Sequence, residues 1–305
     1  MAKQGEALPK KDHFQAVTDA IIAQLEQGTL PWEKPWAAGD VPLRPLRTCG
    51  TPYRGINILL LWSAAMAGGY SSPYWMTFRQ AKERAASVRK GERGTSVFYA
   101  GMMEVEGENT EDDGDDDARA VRFFMKHYTV FNAEQIDGLD AAFFPAKVDL
   151  PPAAARIAEA DVYFDAIPSD VRHGGGRAFY TPDYIRMPPF EAFADPERYY
   201  STIAHEHIHW TKGPGRLDRD FGRKRWGDEG YAMEELVAEL GAAFVCSALG
   251  FRPDHIEDHA SYIDSWLKVL KGDKRAIFTA ASHAQKAFDL LDGYQAECGM
   301  MAAAQ

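Results

Sequence analysis

Cysteine is scarce in this chain. Its 305 residues include three, Cys49, Cys246 and Cys298, odd in number and far apart. That spacing excludes a disulfide framework and favours a reducing cytoplasm. Cys246 stands in an apolar run and reads as a small core residue. Long hydrophobic runs are missing as well. No stretch is long enough to span a bilayer, and Met1–Lys11 is polar without a signal-peptide core. A cytoplasmic protein with no membrane partner is therefore expected. Cations are the minority, 34 against 45 acidic residues, for a net charge of -11. Such a balance argues against general nucleic-acid affinity. There is no internal repeat.

The distribution of charge qualifies that last point. From Arg44 to Tyr99 nine cations stand against two carboxylates, Glu83 and Glu92, and nine minus two gives +7. Local charge, not the total, decides what a face binds. Aromatics interleave with these cations: Tyr53 beside Arg54, Trp75 near Arg79 and Lys82, then Arg89, Lys90 and Arg93. Single strands are held by cations along the backbone and by rings under the bases, so these eight residues are candidate contacts. The plain alternative is that the rings are core and the cations merely solvated.

The chain turns from helix to strand and back. Phe14, Val17, Ile21, Ile22 and Leu25 predict a helix over 12–27, with Gly28 as its stop. Trp32 and Trp36 lie in a Pro-interrupted loop, either pinning it to the core or offering stacking faces. A second apolar helix runs through Trp62 and Met66 to Gly68-Gly69. Thr77-Phe78-Arg79-Gln80 is a capping-box pattern for a helix with Phe78, Ala81, Ala85 and Val88 on one side. Thr95–Val105 and Ala120–Phe131 alternate as paired strands. Between them Glu106–Asp117 is acidic and glycine-containing, without the spacing of a calcium loop. Ala141–Pro152 reads as a linker, and an Ala-rich helix follows Pro151-Pro152. Arg172–Gly176 reads as a turn, with His173 at the surface. Ala178–Tyr180 and Tyr184–Met187 are short strands whose edge can pair with an extended peptide. Helices are expected over 230–249, Asp254–Leu270 and Arg275–Leu291, then a frayed tail from Met300.

The chemistry is concentrated in His205-Glu206-His207-Ile208-His209. His205-Glu206-x-x-His209 puts two imidazoles one helical turn apart, on one face, within reach of one cation. Glu206 points sideways, close enough to take a proton from the attacking water. His207 lies off that face and reads as a bystander. Two histidines on an amphipathic helix can also be structural. Downstream, Tyr231–Leu240 offers Glu235 and Glu239 one turn apart beside Leu236, Val237 and Leu240. This second helix resembles that of the Glu-ligand zincins. The resemblance implies Glu235 as third ligand and Glu239 as the partner that fixes a ligand histidine's tautomer. Zn²⁺ is the implied ion, with another divalent metal such as Mn²⁺ an alternative. Tyr262 or Tyr231 is a candidate donor to the oxyanion.

Taken together, Trp32–Trp36, Tyr53–Asn57, Trp75–Ala81, Val88–Gly91, Val130–Asn132, Ala178–Tyr180, His205–Thr211, Arg216-Leu217, Glu234–Glu239 and Tyr262–Leu267 resemble the ArdC-type antirestriction proteins of conjugative plasmids. The resemblance implies a two-domain α+β protein. A single-stranded-DNA-binding domain is expected over 1–145 and a zincin-like metallopeptidase domain over 150–305. It further implies protection of incoming DNA from host restriction, with an unidentified protein substrate such as a host restriction component. A non-enzymatic protein, binding single strands or mimicking DNA around a structural zinc, is the other class of reading. A nuclease is disfavoured, because phosphodiester hydrolysis usually recruits carboxylate-rich two-metal sites.

Overall fold

The computed structural model describes residues 12–32, 44–105, 120–144, 153–222, 228–253 and 259–303. In chain order its helices are α1 (His13–Glu26), α2 (Ile56–Gly68), α3 (Phe78–Glu83), α4 (Ala153–Asp165), α5 (Pro196–Trp210), α6 (Glu229–Leu249), α7 (His259–Gly272) and α8 (Ala276–Ala303). The strands are β1 (Leu46–Arg47), β2 (Tyr74–Thr77), β3 (Ser87–Val88), β4 (Thr95–Val105), β5 (Ala120–Asn132), β6 (Ile136–Asp137), β7 (Val171–His173), β8 (Phe179–Tyr180) and β9 (Ile185–Met187). The α+β class expected from the sequence is what the elements form. Among the described residues no helix is long and apolar enough to cross a membrane. The acidic stretch Glu106–Asp117, Trp36 and most of the expected linker lie outside the described residues.

The chain forms two compact units that are not consecutive in sequence. One holds β1, α3 and β2–β6, with the second half of α2 from Ser63. The other holds α1, Arg54–Trp62, and the elements from α4 onward. The division therefore differs from a cut near residue 145. The reason is visible at α1, whose buried Val17, Ile21 and Leu25 pack toward the C-terminal helices. Phe14 meets Phe278 edge-on at 4.7 Å, and Thr18 Oγ1 donates to the Lys274 carbonyl at 2.7 Å. Gly28 closes α1 in the left-handed region, φ 70°, where glycine carries no Cβ penalty. Trp32 is 1 % exposed and packs on Trp266 at 5.8 Å, so it pins the loop to the core.

In the β-rich unit the main sheet has the order β1-β2-β5-β4. Strands β4 and β5 form the long antiparallel hairpin that the alternation predicts, with Thr95 opposite Val130 and Val105 opposite Ala120. The capping box at Thr77 forms: Gln80 N donates to Thr77 Oγ1, and Thr77 N donates to Gln80 Oε1. The helix it starts is shorter than expected. Ala85 turns left-handed at φ 55°, and Ala86 N donates back to the Ala81 carbonyl. That is a Schellman closure, so α3 ends at Glu83 and Val88 belongs to β3. Phe78 is 48 % exposed rather than core.

The helical unit is built round α6. Asp228 caps its N-terminus and Gly250, φ 76°, its C-terminus. Apolar residues surround it on nearly every side, and α5, α7 and α8 cover it. The small sheet has the order β7-β9-β8, leaving β8 on an edge. Arg172 and His173 therefore belong to a strand rather than a turn. α8 continues to Ala303, well beyond Leu291.

Candidate metal centre

Asp195 caps α5 by accepting from Arg198 N, and Pro196 occupies the first turn. The helix then carries His205 and His209 on one face, with ring centroids 4.7 Å apart and planes at 81°. α6 crosses beside it and brings Glu235 to both rings. The ligand atoms of His205, His209 and Glu235 all lie within 4.8 Å of one another. His205 Nε2 and His209 Nε2 are 3.1 Å apart. Glu235 Oε2 is 3.5 Å from His205 Nε2, and its Oε1 is 3.6 Å from His209 Nε2. A tetrahedral ion with bonds near 2.0–2.1 Å would separate its donors by about 3.3 Å. Two imidazoles aimed nitrogen to nitrogen need a proton or a cation between them. Two nitrogens and one carboxylate fit a divalent ion with an open position.

The electrostatics favour positive charge here. Burial alone would push the His209 imidazole down, but the Glu235 and Glu234 carboxylates outweigh it and raise it to about 9. Burial would raise Glu235, and the His209 and His205 imidazoles reverse that, holding it well below the usual carboxylate range. A field that favours the protonated imidazole also favours a cation in its place.

Other charged residues stand around the three candidate ligands. Glu239 is fully buried, with Oε1 3.7 Å from His205 Nδ1. It faces His205 from longer than hydrogen-bond range. The close carboxylate contact to a ligand histidine is made by Glu234, whose Oε1 accepts from His209 Nδ1 at 3.0 Å. Arg219 grips that carboxylate from the other side at 2.8 Å. Neither residue was singled out by sequence. Glu234 is adjacent to a ligand but rotated about 100° from it, and Arg219 lies in a charged loop with no period to mark it. Glu206 is 8 % exposed, on α5 beside His205. Tyr262 Oη lies 3.1 Å from Tyr231 Oη, and burial followed by the Glu235 charge raises both phenols.

His207 points away from the centre. Its Nδ1 donates to the Ile203 carbonyl and its Nε2 meets Ser169 Oγ, both at 2.8 Å. Burial pushes it down to about 4, so it stays neutral. His173 is exposed on β7, with Nε2 2.9 Å from Tyr199 Oη.

The candidate DNA contacts divide sharply. Trp75 is 1 % and Tyr53 7 % exposed, so neither offers a ring face to a base; both are core residues. Arg54 belongs to the helical unit, where it pairs with Asp289. Arg89 is tied to Glu92 at 2.7 Å and Asp137 at 3.7 Å. Arg79, Lys82, Lys90 and Arg93 are exposed, Arg79 with Glu83 at 2.9 Å and Lys82 over the Phe78 ring. Among the described residues, the exposed rings of this unit are ones the sequence did not select: Phe78, Tyr99 at 52 %, Tyr128 at 46 % and Phe144 at 39 %. The hairpin register sets Tyr99 opposite Lys126 and Val97 opposite Tyr128, so the two tyrosines are diagonal neighbours on one face.

Two family models and several known proteins match this chain. A family model described as a zincin-like metallopeptidase matches residues 158–283. Another, the N-terminal domain of anti-restriction factor ArdC, matches residues 11–131. The metal-free crystal structure of antirestriction ArdC protein from plasmid R388 is 45 % identical, with a TM-score of 0.78 over 94 % of this chain and 98 % of that one. The chain belongs to the ArdC family. The Mn(II)-bound form of the R388 ArdC protein is 44 % identical, with a TM-score of 0.76 over 93 % of this chain and 98 % of that one. An uncharacterized protein of Sinorhizobium fredii, y4eC, is 40 % identical over 94 % of this chain and 93 % of its own length. DNA primase TraC of Escherichia coli is 38 % identical over 94 % of this chain, which spans 27 % of that protein.

Proposed function

We propose that this ArdC-family chain protects incoming DNA from restriction by pairing a single-stranded-DNA-binding unit with a metal-dependent peptide hydrolase. The observation that carries the hydrolase reading is the convergence of His205 Nε2, His209 Nε2 and the Glu235 carboxylate, with Glu206 on the same helix. Zn²⁺ or Mn²⁺ at these donors would polarise the scissile carbonyl and acidify a water. Glu206 takes the proton of the attacking water and returns it to the leaving amine. Tyr262 donates its hydroxyl hydrogen to the oxyanion, with Tyr231 holding it in place. The exposed β8 edge of the small sheet offers its backbone to an extended peptide. The DNA-binding half of the reading rests on Arg79, Lys82, Lys90 and Arg93 together with Phe78, Tyr99 and Tyr128.

The test is protection of incoming DNA in restricting recipient cells, comparing wild type with Glu206→Gln. Metal content and single-strand affinity are measured on both proteins. Loss of protection in a variant that keeps metal and DNA binding supports hydrolysis. Full protection by that variant leaves a protein that acts by binding alone.

A further inference from the structure

Arg219 is 6 % exposed although it sits in the loop after α5. The hydrogen-bond partners of its guanidinium belong to α5, its C-terminal cap or α6. Nε donates to Glu234 Oε2 and Nη2 to Glu234 Oε1, each at 2.8 Å. Nη2 also donates to the Ile208 carbonyl at 2.9 Å, and Nη1 to Thr211 Oγ1 at 3.0 Å. Lys212 Nζ stands 3.7 Å from Glu234 Oε1. Through this clamp Glu234 meets His209 Nδ1.

The chemistry of that contact is directional. An ionised carboxylate only accepts, so His209 carries its proton on Nδ1 and keeps the Nε2 lone pair for the centre. A buried glutamate held by nothing else could rotate away or join the ligand set. Arg219 occupies both its oxygens with a planar fork and anchors the fork to the last turn of the ligand helix itself. The geometry points to Arg219 as a positioning residue of the metal centre: acting through Glu234, it fixes the His209 tautomer and keeps Glu234 out of the ligand set, preserving the open position. This role rests on the metal reading given above.

The alternative is a staple that only closes the loop onto the two helices. The full chain with Arg219→Met plus Glu234→Gln separates the two. The double change leaves no lone buried charge, and the amide oxygen it introduces can still accept from His209. Zn²⁺ and Mn²⁺ affinities are read by chelator competition, and metal-free stability by thermal unfolding. Positioning predicts a 10- to 100-fold weaker metal affinity in a protein that still folds. Affinity within twofold of wild type in a folded variant overturns it. If the variant does not fold, histidine ¹⁵N spectra of zinc-loaded wild type decide. A His209 Nδ1 proton protected from exchange supports the role, and a proton on Nε2 overturns it. A wild type that takes up neither ion overturns the metal reading as well, whereas a wild type that binds metal no more tightly than the folded variant overturns only the positioning role.

Discussion

Gly241 of α6 lies so close to Ile208 of α5 that a Cβ at this glycine would stand 2.7 Å from the Ile208 side chain. Ile208 is the residue before ligand His209, and Gly241 is less than two turns beyond Glu235. The absent side chain lets α5 and α6 approach. Gly241→Val should cost about 1–3 kcal/mol of stability through overpacking. It should also weaken metal affinity, because the helices separate at the ligands. Thermal unfolding without metal and chelator competition measure the two effects.

Metal removal should lower stability in a way that depends on the ligands. At a free ion concentration 100-fold above the dissociation constant, binding stabilises the fold by about 2.7 kcal/mol. A chelator should therefore lower the Tm of wild type and leave that of His209→Ala unchanged. Equal shifts in the two proteins would place the stabilising ion elsewhere.

His207 predicts a pH dependence of its own. Its folded value, about 4, lies below the unfolded value of about 6.5, so the unfolded chain binds the extra proton first. Stability contributed by neutral His207 is complete above pH 6.5 and is lost as pH falls toward 4. Relative to metal-free His207→Gln, the metal-free wild type should lose about 3 kcal/mol across that window. Denaturant titrations at pH 7 and pH 4 on both proteins give the difference directly.

The β-rich unit should separate core rings from the proposed contact rings. Trp75→Ala should cost stability, roughly 3–5 kcal/mol, as a core truncation. Tyr99→Ala and Tyr128→Ala should leave stability nearly unchanged and weaken single-strand binding by about 1–3 kcal/mol for each stacked base. Neutralising Lys90 or Arg93 should reduce the salt slope of binding by about 0.7 each. Fluorescence anisotropy with an oligonucleotide at several salt concentrations checks all of these.

Much of the frame was legible in the sequence because it is local. Gly28, the Thr77–Gln80 box and the β4–β5 alternation each encode their structure within a few residues. The gathering of His205, His209 and Glu235 was legible because helical period sets the two histidines on one face and the resemblance to the Glu-ligand zincins singles out Glu235 on a second helix. What escaped depends on approach between distant segments. Burial of Trp75 and Tyr53 follows from packing, which interleaved aromatics and cations do not reveal. Arg219 turns inward because Glu234 waits there, 15 residues away. The helical unit's claim on α1 arises from contacts 256 residues apart in sequence.

The most direct measurement is a crystal structure of the chain loaded with Mn²⁺ or Zn²⁺, with the ion located by its anomalous scattering. The account predicts one ion bonded to His205 Nε2, His209 Nε2 and the Glu235 carboxylate, with Glu234 still bonded to His209 Nδ1 and at least one position open. An ion bound elsewhere, or one coordinated without Glu235, would contradict it.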